Sequence, residues 1–235
     1  MTGRRIRILL IGLLVGSLAV VAAAFLWVPA APSLYKLPWS AGERYSVLQG
    51  NSQFDGAQNC VSGCSTHDDD AMRFAWDFAL PEGTEVVAAR GGTVALANGS
   101  WRPDHCGAVS ATGAGGIVSP LIGNEANFVE IDHGDGTSAL YLHLSQVAPE
   151  IERKVKTGEP VLQGELLGLS GKTGFTQCLP HLHFQVENSV RADWFTTSVP
   201  ISFADRDVVS RNPQGIPVEG ESYVSENSAP SPDSP

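Results

Sequence analysis

Along much of this chain, apolar and polar residues alternate at a period of two, the period of a strand with one buried face. In Pro180–Val186, PHLHFQV, one set is Leu182, Phe184 and Val186, and the other is His181, His183 and Gln185. In Phe74–Leu80, Phe74, Trp76, Phe78 and Leu80 form the apolar set. Asp77 lies on the opposite side, between Ala75 and Ala79. Thr137–Leu144 reads as a strand with Leu140, Leu142 and Leu144 facing one way and Tyr141 and His143 the other. Shorter strands are expected at Tyr45–Gln49, Glu85–Ala89, Gly92–Ala97 and Phe128–Asp132. The turn His133-Gly134-Asp135-Gly136 follows the last of these. Lys156–Pro160 reads as a further strand, and Val161–Gly164 as a turn. No convincing amphipathic helix interrupts this region. The pattern predicts an all-β domain, an antiparallel sheet or sandwich of short strands with irregular loops.

Three stretches break the alternation. Residues Ile8–Val28, ILLIGLLVGSLAVVAAAFLWV, carry no charge across 21 positions. A bilayer-spanning helix needs about 20. Arg4, Arg5 and Arg7 precede the run, so residues 1–7 are expected on the cytoplasmic side of a single transmembrane helix. Trp27 suits an interfacial anchor, whereas Ala30-Ala31-Pro32 keeps a cleaved signal segment as the alternative. In either case the rest of the chain is exported. It is expected to comprise a spacer (29–44), one domain (45–210) and a tail (211–235) rich in Pro, Ser and acidic residues. That tail is expected to be disordered.

Charge narrows the function. The formal net charge is −10, and three of the 15 basic residues precede residue 30. An acidic exported domain offers nothing to nucleic acid. All four cysteines (Cys60, Cys64, Cys106 and Cys178) follow the apolar segment, where disulfides persist. Three pairings are open. Cys60–Cys64 with Cys106–Cys178 is the expected one, the second pinning the Gly-rich stretch 98–126 beside the His strand. A four-thiolate zinc site is the alternative.

Asp77, His143, His181 and His183 each interrupt an apolar alternation. Carboxylate and imidazole are zinc donors, and a catalytic zinc site keeps three protein ligands and one open position. Four blocks make the resemblance specific. They are Asp77-Phe78 with Pro81-Glu82-Gly83-Thr84 and Val86–Ala89, then Ile131–Gly136, then Tyr141–Leu144, then Gly168–Gly174 through Pro180–Phe184. Together they resemble the lysostaphin-type zinc endopeptidases, which cut peptides of the bacterial cell wall. The resemblance spans roughly residues 45–190.

It implies one zinc ion, Asp77 and His183 as ligands, and His143 and His181 as unliganded catalytic residues. These two would stabilise the tetrahedral transition state and assist proton transfer. It implies peptidoglycan peptides as substrate. The family's first ligand histidine stands four residues before the aspartate, but that position here is Arg73, which cannot ligate zinc. His67 is the expected replacement, with His105 as a weaker substitute and His133 as a turn residue. The leader Phe175–Leu179 also departs from the family's shorter Ser/Thr/Gly run. The competing function is a metal-free member that binds wall or regulates a hydrolase; a plain wall-binding β module is the third.

Overall fold

The computed structural model describes residues 34–50, 67, 70–107, 125–190 and 195–231. The apolar segment 8–28 and the Cys60–Cys64 pair lie outside them. Among the described residues, no helix is long and apolar enough to cross a membrane. In chain order the strands are β1 (Arg44–Gln49), β2 (Trp76–Phe78), β3 (Glu85–Val87), β4 (Gly92–Asn98), β5 (Cys106–Gly107), β6 (Asn127–Asp132) and β7 (Ser138–Val147). Helix α1 (Pro149–Thr157) follows. Then come β8 (Pro160–Val161), β9 (Leu166–Ser170), β10 (Gly174–Phe175), β11 (Leu182–Glu187), helix α2 (Arg206–Arg211) and β12 (Ser222–Val224).

Ten strands form one antiparallel sheet in the order β12-β1-β2-β11-β7-β6-β4-β8, with β9 also pairing β7 and β3. The sheet forks at β7. Residues Ser138–Leu142 pair with β11, whereas Leu144–Val147 pair with β9. His143 sits between these two runs with φ +70°, in the left-handed region that bulky residues avoid. Against β6, Leu142 opposes Phe128 and Leu144 opposes Asn127, so His143 is the extra residue of a bulge. Close approach of β9 at the fork depends on glycine. A Cβ on Gly171 would lie 2.4 Å from the Ser145 nitrogen, and one on Gly168 would lie 2.3 Å from the Gln146 oxygen.

The bulge corrects the expected facing of this strand. Tyr141 and Leu144 enter the main core, while Leu140 and Leu142 join a small cluster on the other face with Ala126 and the half-buried Phe128 and Phe195. Strict alternation would send His143 into the core with Tyr141. The left-handed residue shifts the phase by one instead and turns His143 to the opposite side. In β2 the alternation runs as expected, with Trp76 and Phe78 fully buried on either side of Asp77.

Three expectations about flanking segments are also corrected. The spacer is core: Tyr35, Leu37 and Trp39 are buried at alternate positions, and Trp39 meets Phe78 edge to face at 5.0 Å between ring centroids. The tail is ordered through residue 231. β12 pairs with β1, and Ile216, Tyr223, Ser225 and Asn227 are buried. Composition missed this because the tail gains backbone hydrogen bonds on a sheet edge, which need few apolar side chains. Asp205 ties both flanks together. Its carboxylate accepts the Leu37 N–H at 2.9 Å and the Glu226 N–H at 2.7 Å. Finally, α1 occupies Pro149–Thr157, and its last two residues belong to the expected strand Lys156–Pro160. Pro149 begins it, Glu150 and Glu152 lie in its first turn, and Gly158 ends it at φ +71°. Only Ile151 and Lys154 are buried, too narrow a stripe to stand out as amphipathic.

The disulfide Cys106–Cys178 is present, with Cα atoms 5.2 Å apart, and it closes a sequence separation of 72 residues. It binds the end of the β5 region to the leader of β11, beside the parallel pair β5–β10. Loop-closure entropy for that separation corresponds to roughly 4 kcal/mol. Cys106→Ala with Cys178→Ala is therefore expected to lower unfolding stability in urea by about 2–4 kcal/mol. An unchanged urea midpoint would refute the tether.

Candidate metal and catalytic centre

The ladder between β2 and β11 sets His183 directly opposite Asp77. Paired residues of an antiparallel ladder share a face, so the two side chains meet. The His183 Nδ1 lies 2.9 Å from the Asp77 Oδ1. On the other side of β2, Gln49 at the end of β1 also pairs with Asp77. The next residue, Gly50, holds His67 through its carbonyl, 3.2 Å from the His67 Nδ1. That contact aims the His67 Nε2 at the Asp77 Oδ1, 3.6 Å away. One ligand atom from each of His67, Asp77 and His183 falls within 4.8 Å of the others.

A metal ion fits these residues on two grounds. The His67 Nε2 is buried with no hydrogen-bond partner, a costly state for an imidazole nitrogen unless something else fills it. The donor set is two imidazoles and one carboxylate, as in catalytic zinc sites. Charge agrees. Burial opposes ionisation of Asp77, yet the neighbouring His67 and His181, and then the close His183 imidazole, hold its carboxyl well below the usual carboxylate range. Burial likewise disfavours a charged His67, but Asp77 outweighs it and raises the imidazole above its ordinary value.

The other two histidines stand beside this group. His181 bridges to Gly171 across the fork, and its Nε2 lies 3.9 Å from the Asp77 Oδ1. The His143 ring centroid is 4.8 Å from that of His181 and 6.0 Å from that of His183. Both rings are tethered through Nδ1, His181 to the Leu179 carbonyl at 2.9 Å and His143 to the Thr173 carbonyl at 2.8 Å. An Nδ1–H donating to a carbonyl leaves Nε2 with its lone pair. Burial first, then repulsion by His181 and His183, pushes His143 well below its ordinary pKa, so it is neutral near pH 7.

Arg73, in the position four before Asp77, is half-exposed and pairs with Asp70 at 3.0 Å. His105 bonds to Glu125 at 2.8 Å and stacks on Trp101. His133 contacts the Gly91 carbonyl at 2.9 Å. Neither of these histidines belongs to the cluster. The structure also brings in residues to which the sequence assigns no role at the site. Thr173, through its carbonyl, orients His143, and Phe195 stacks on His183 at 5.9 Å. Gln185 and Glu187 continue the face of His183. The unbroken alternation from 181 to 187 was the available signal for these last two.

Comparisons with known proteins find relatives that match part of this chain. The peptidoglycan DD-endopeptidase ShyA of Vibrio cholerae is 34% identical over 110 residues, 47% of this chain and 19% of ShyA. Stage II sporulation protein Q of Bacillus subtilis is 33% identical over 107 residues, 43% of this chain and 33% of that protein. The chain thus spans a third or less of the length of these two relatives. Among solved structures, a mutant catalytic domain of the prophage-encoded M23 protein EnpA from Enterococcus faecalis matches with a TM-score of 0.43 at 18% identity. That match covers 69% of this chain and 93% of the EnpA domain. Residues 71–194, more than half of the chain, match the description of peptidase family M23. They contain Asp77, His143, His181 and His183, and the chain belongs to peptidase family M23, the lysostaphin-type peptidases.

Proposed function

We propose that this protein is a zinc-dependent endopeptidase that hydrolyses peptide stems or bridges of bacterial peptidoglycan. It would be held by its 8–28 segment with the domain on the extracytoplasmic side. The observation that carries the reading is the convergence of His67, Asp77 and His183, with an orphaned His67 Nε2, next to two further imidazoles tethered at Nδ1. The match to a peptidoglycan endopeptidase supports the substrate class.

His67 through Nε2, Asp77 through Oδ1 and His183 through Nδ1 would hold the zinc. When bound, the ion supplies a Lewis acid and a water acidic enough to act near neutral pH. His143, kept neutral by burial, offers its Nε2 lone pair as a proton acceptor. Once protonated there, it can hand the proton to the departing amine. The His181 Nε2, 3.9 Å from the Asp77 Oδ1, would stabilise negative charge developing on the scissile carbonyl oxygen when it carries a proton in addition to the one on Nδ1. Both tethers at Nδ1 pre-set ring orientation, which spares reorganisation during the reaction.

The test is zinc content and product analysis on the full-length protein in detergent. About one zinc per chain is expected, with new amino termini in purified peptidoglycan and loss of both after chelation. Bound zinc without new termini would favour the wall-binding or regulatory alternative. Absence of zinc would sink the metallopeptidase reading.

A further inference from the structure

Behind His183, on the side away from Asp77, two buried polar side chains, Gln185 and Glu187, and the half-buried Thr196 form a chain of hydrogen bonds with no part in the reaction described above. The His183 Nε2 lies 2.9 Å from the Gln185 Oε1. The Gln185 Nε2 donates to the Glu187 Oε1 at 2.6 Å and to the Ala71 carbonyl at 3.2 Å. The Glu187 Oε2 in turn accepts from the Thr196 hydroxyl at 2.9 Å and the Thr196 N–H at 3.2 Å. Gln185 and Glu187 are both wholly buried.

Two donors from one amide nitrogen meet two oxygens that can only accept. Rotating the amide by half a turn would set its oxygen against a carboxylate and a carbonyl. The orientation is therefore forced by its surroundings. It leaves only the amide oxygen facing His183, and an oxygen there requires a proton on Nε2. The Nδ1, 2.9 Å from the Asp77 Oδ1, is then the nitrogen whose lone pair a metal ion at this site would take up.

We propose that Gln185 and Glu187 are positioning residues that select which nitrogen of His183 is offered to the metal. This rests on the zinc reading above and deepens it. Glu187 fixes the amide, the amide fixes the imidazole proton, and the proton fixes the ligand atom. Gln185 also grips the Ala71 carbonyl, so the same side chain couples β11 to the turn that follows His67. Two segments distant in sequence, each bearing a ligand, are thereby held together from behind.

The experiment is zinc affinity of the full-length protein by chelator competition, with long-range proton–nitrogen correlation of the histidine rings in the zinc-bound state. Gln185→Leu keeps the approximate volume and removes the acceptor. It is expected to weaken zinc about 10- to 100-fold, the usual effect of removing an outer partner of a ligand histidine. It is also expected to lose the slowly exchanging Nε2 proton of His183. Glu187→Leu frees the amide and is expected to weaken zinc about 10-fold, whereas Glu187→Gln keeps an acceptor oxygen and restores most of that affinity. A general packing defect would lower thermal stability of the metal-free protein without changing the His183 ring signals. Should Gln185→Leu fail to fold, the two Glu187 variants decide the matter. Wild-type affinity and unaltered ring signals in the variants would overturn the relay while leaving the zinc site standing. A wild-type protein that binds no zinc would overturn the metallopeptidase reading, and the relay with it.

Discussion

His67→Ala is expected to yield a folded protein that no longer retains zinc through purification, with peptidoglycan hydrolysis falling about 10⁴-fold or more. The magnitude follows from the metal's contribution of several kcal/mol to transition-state stabilisation, at about 1.4 kcal/mol per tenfold in rate. Folding should survive because the lost nitrogen has no other partner: the His67 Nε2 makes no hydrogen bond, and its Nδ1 meets only a backbone carbonyl. The substitution separates two explanations of this histidine. A solvated residue on an acidic loop would be dispensable, whereas His67 is 1% exposed and aimed at Asp77. Metal analysis of the purified variant, beside Arg73→Ala as a control that should keep full zinc, decides between them. A His67→Ala protein with stoichiometric zinc would show that some other group completes the coordination.

How much of this was legible without coordinates depends on what each residue's position required. Asp77 and His183 follow from simple alternation, because β2 and β11 are regular and their pairing is in register. His67 was accessible only through resemblance and the exclusion of Arg73. It lies outside residues 71–194 and reaches the cluster through Gly50, a contact no local pattern encodes. For His143 alternation is only a partial guide. It sets the residue opposite the three leucines, yet alternation alone would bury it with Tyr141. Only the left-handed backbone at this one residue turns it out, and nothing in Tyr-Leu-His-Leu announces that. The flanks escape the pattern for a different cause. Tyr35, Leu37 and Trp39 alternate over too short a run to outweigh Pro32 and Pro38, and the tail's order comes from pairing with β1 together with a few scattered buried side chains, Ile216, Tyr223, Ser225 and Asn227. Residues 34–50 and 195–231 thus complete a core whose remainder is the family domain, and Asp205 joins the two flanks by two backbone hydrogen bonds.

His143→Ala should keep zinc and lose activity by about 10²- to 10⁴-fold, the range expected for removing a positioned proton carrier. Retention of the metal follows from geometry, since His143 is not one of the three convergent donors. The backbone supplies a second, independent readout. Residue 143 sits at φ +70°, where a side chain costs on the order of 1–2 kcal/mol relative to glycine. His143→Gly should therefore be as inactive as His143→Ala and more stable than it by about 1 kcal/mol, although glycine at a random strand position is destabilising. The sign of that difference reports whether the bulge exists in solution, apart from any assay of catalysis. If the alanine variant proves the more stable, the left-handed turn is absent. His143 would then follow strict alternation into the core, and the proton carrier of this site would have to be sought in His181 alone.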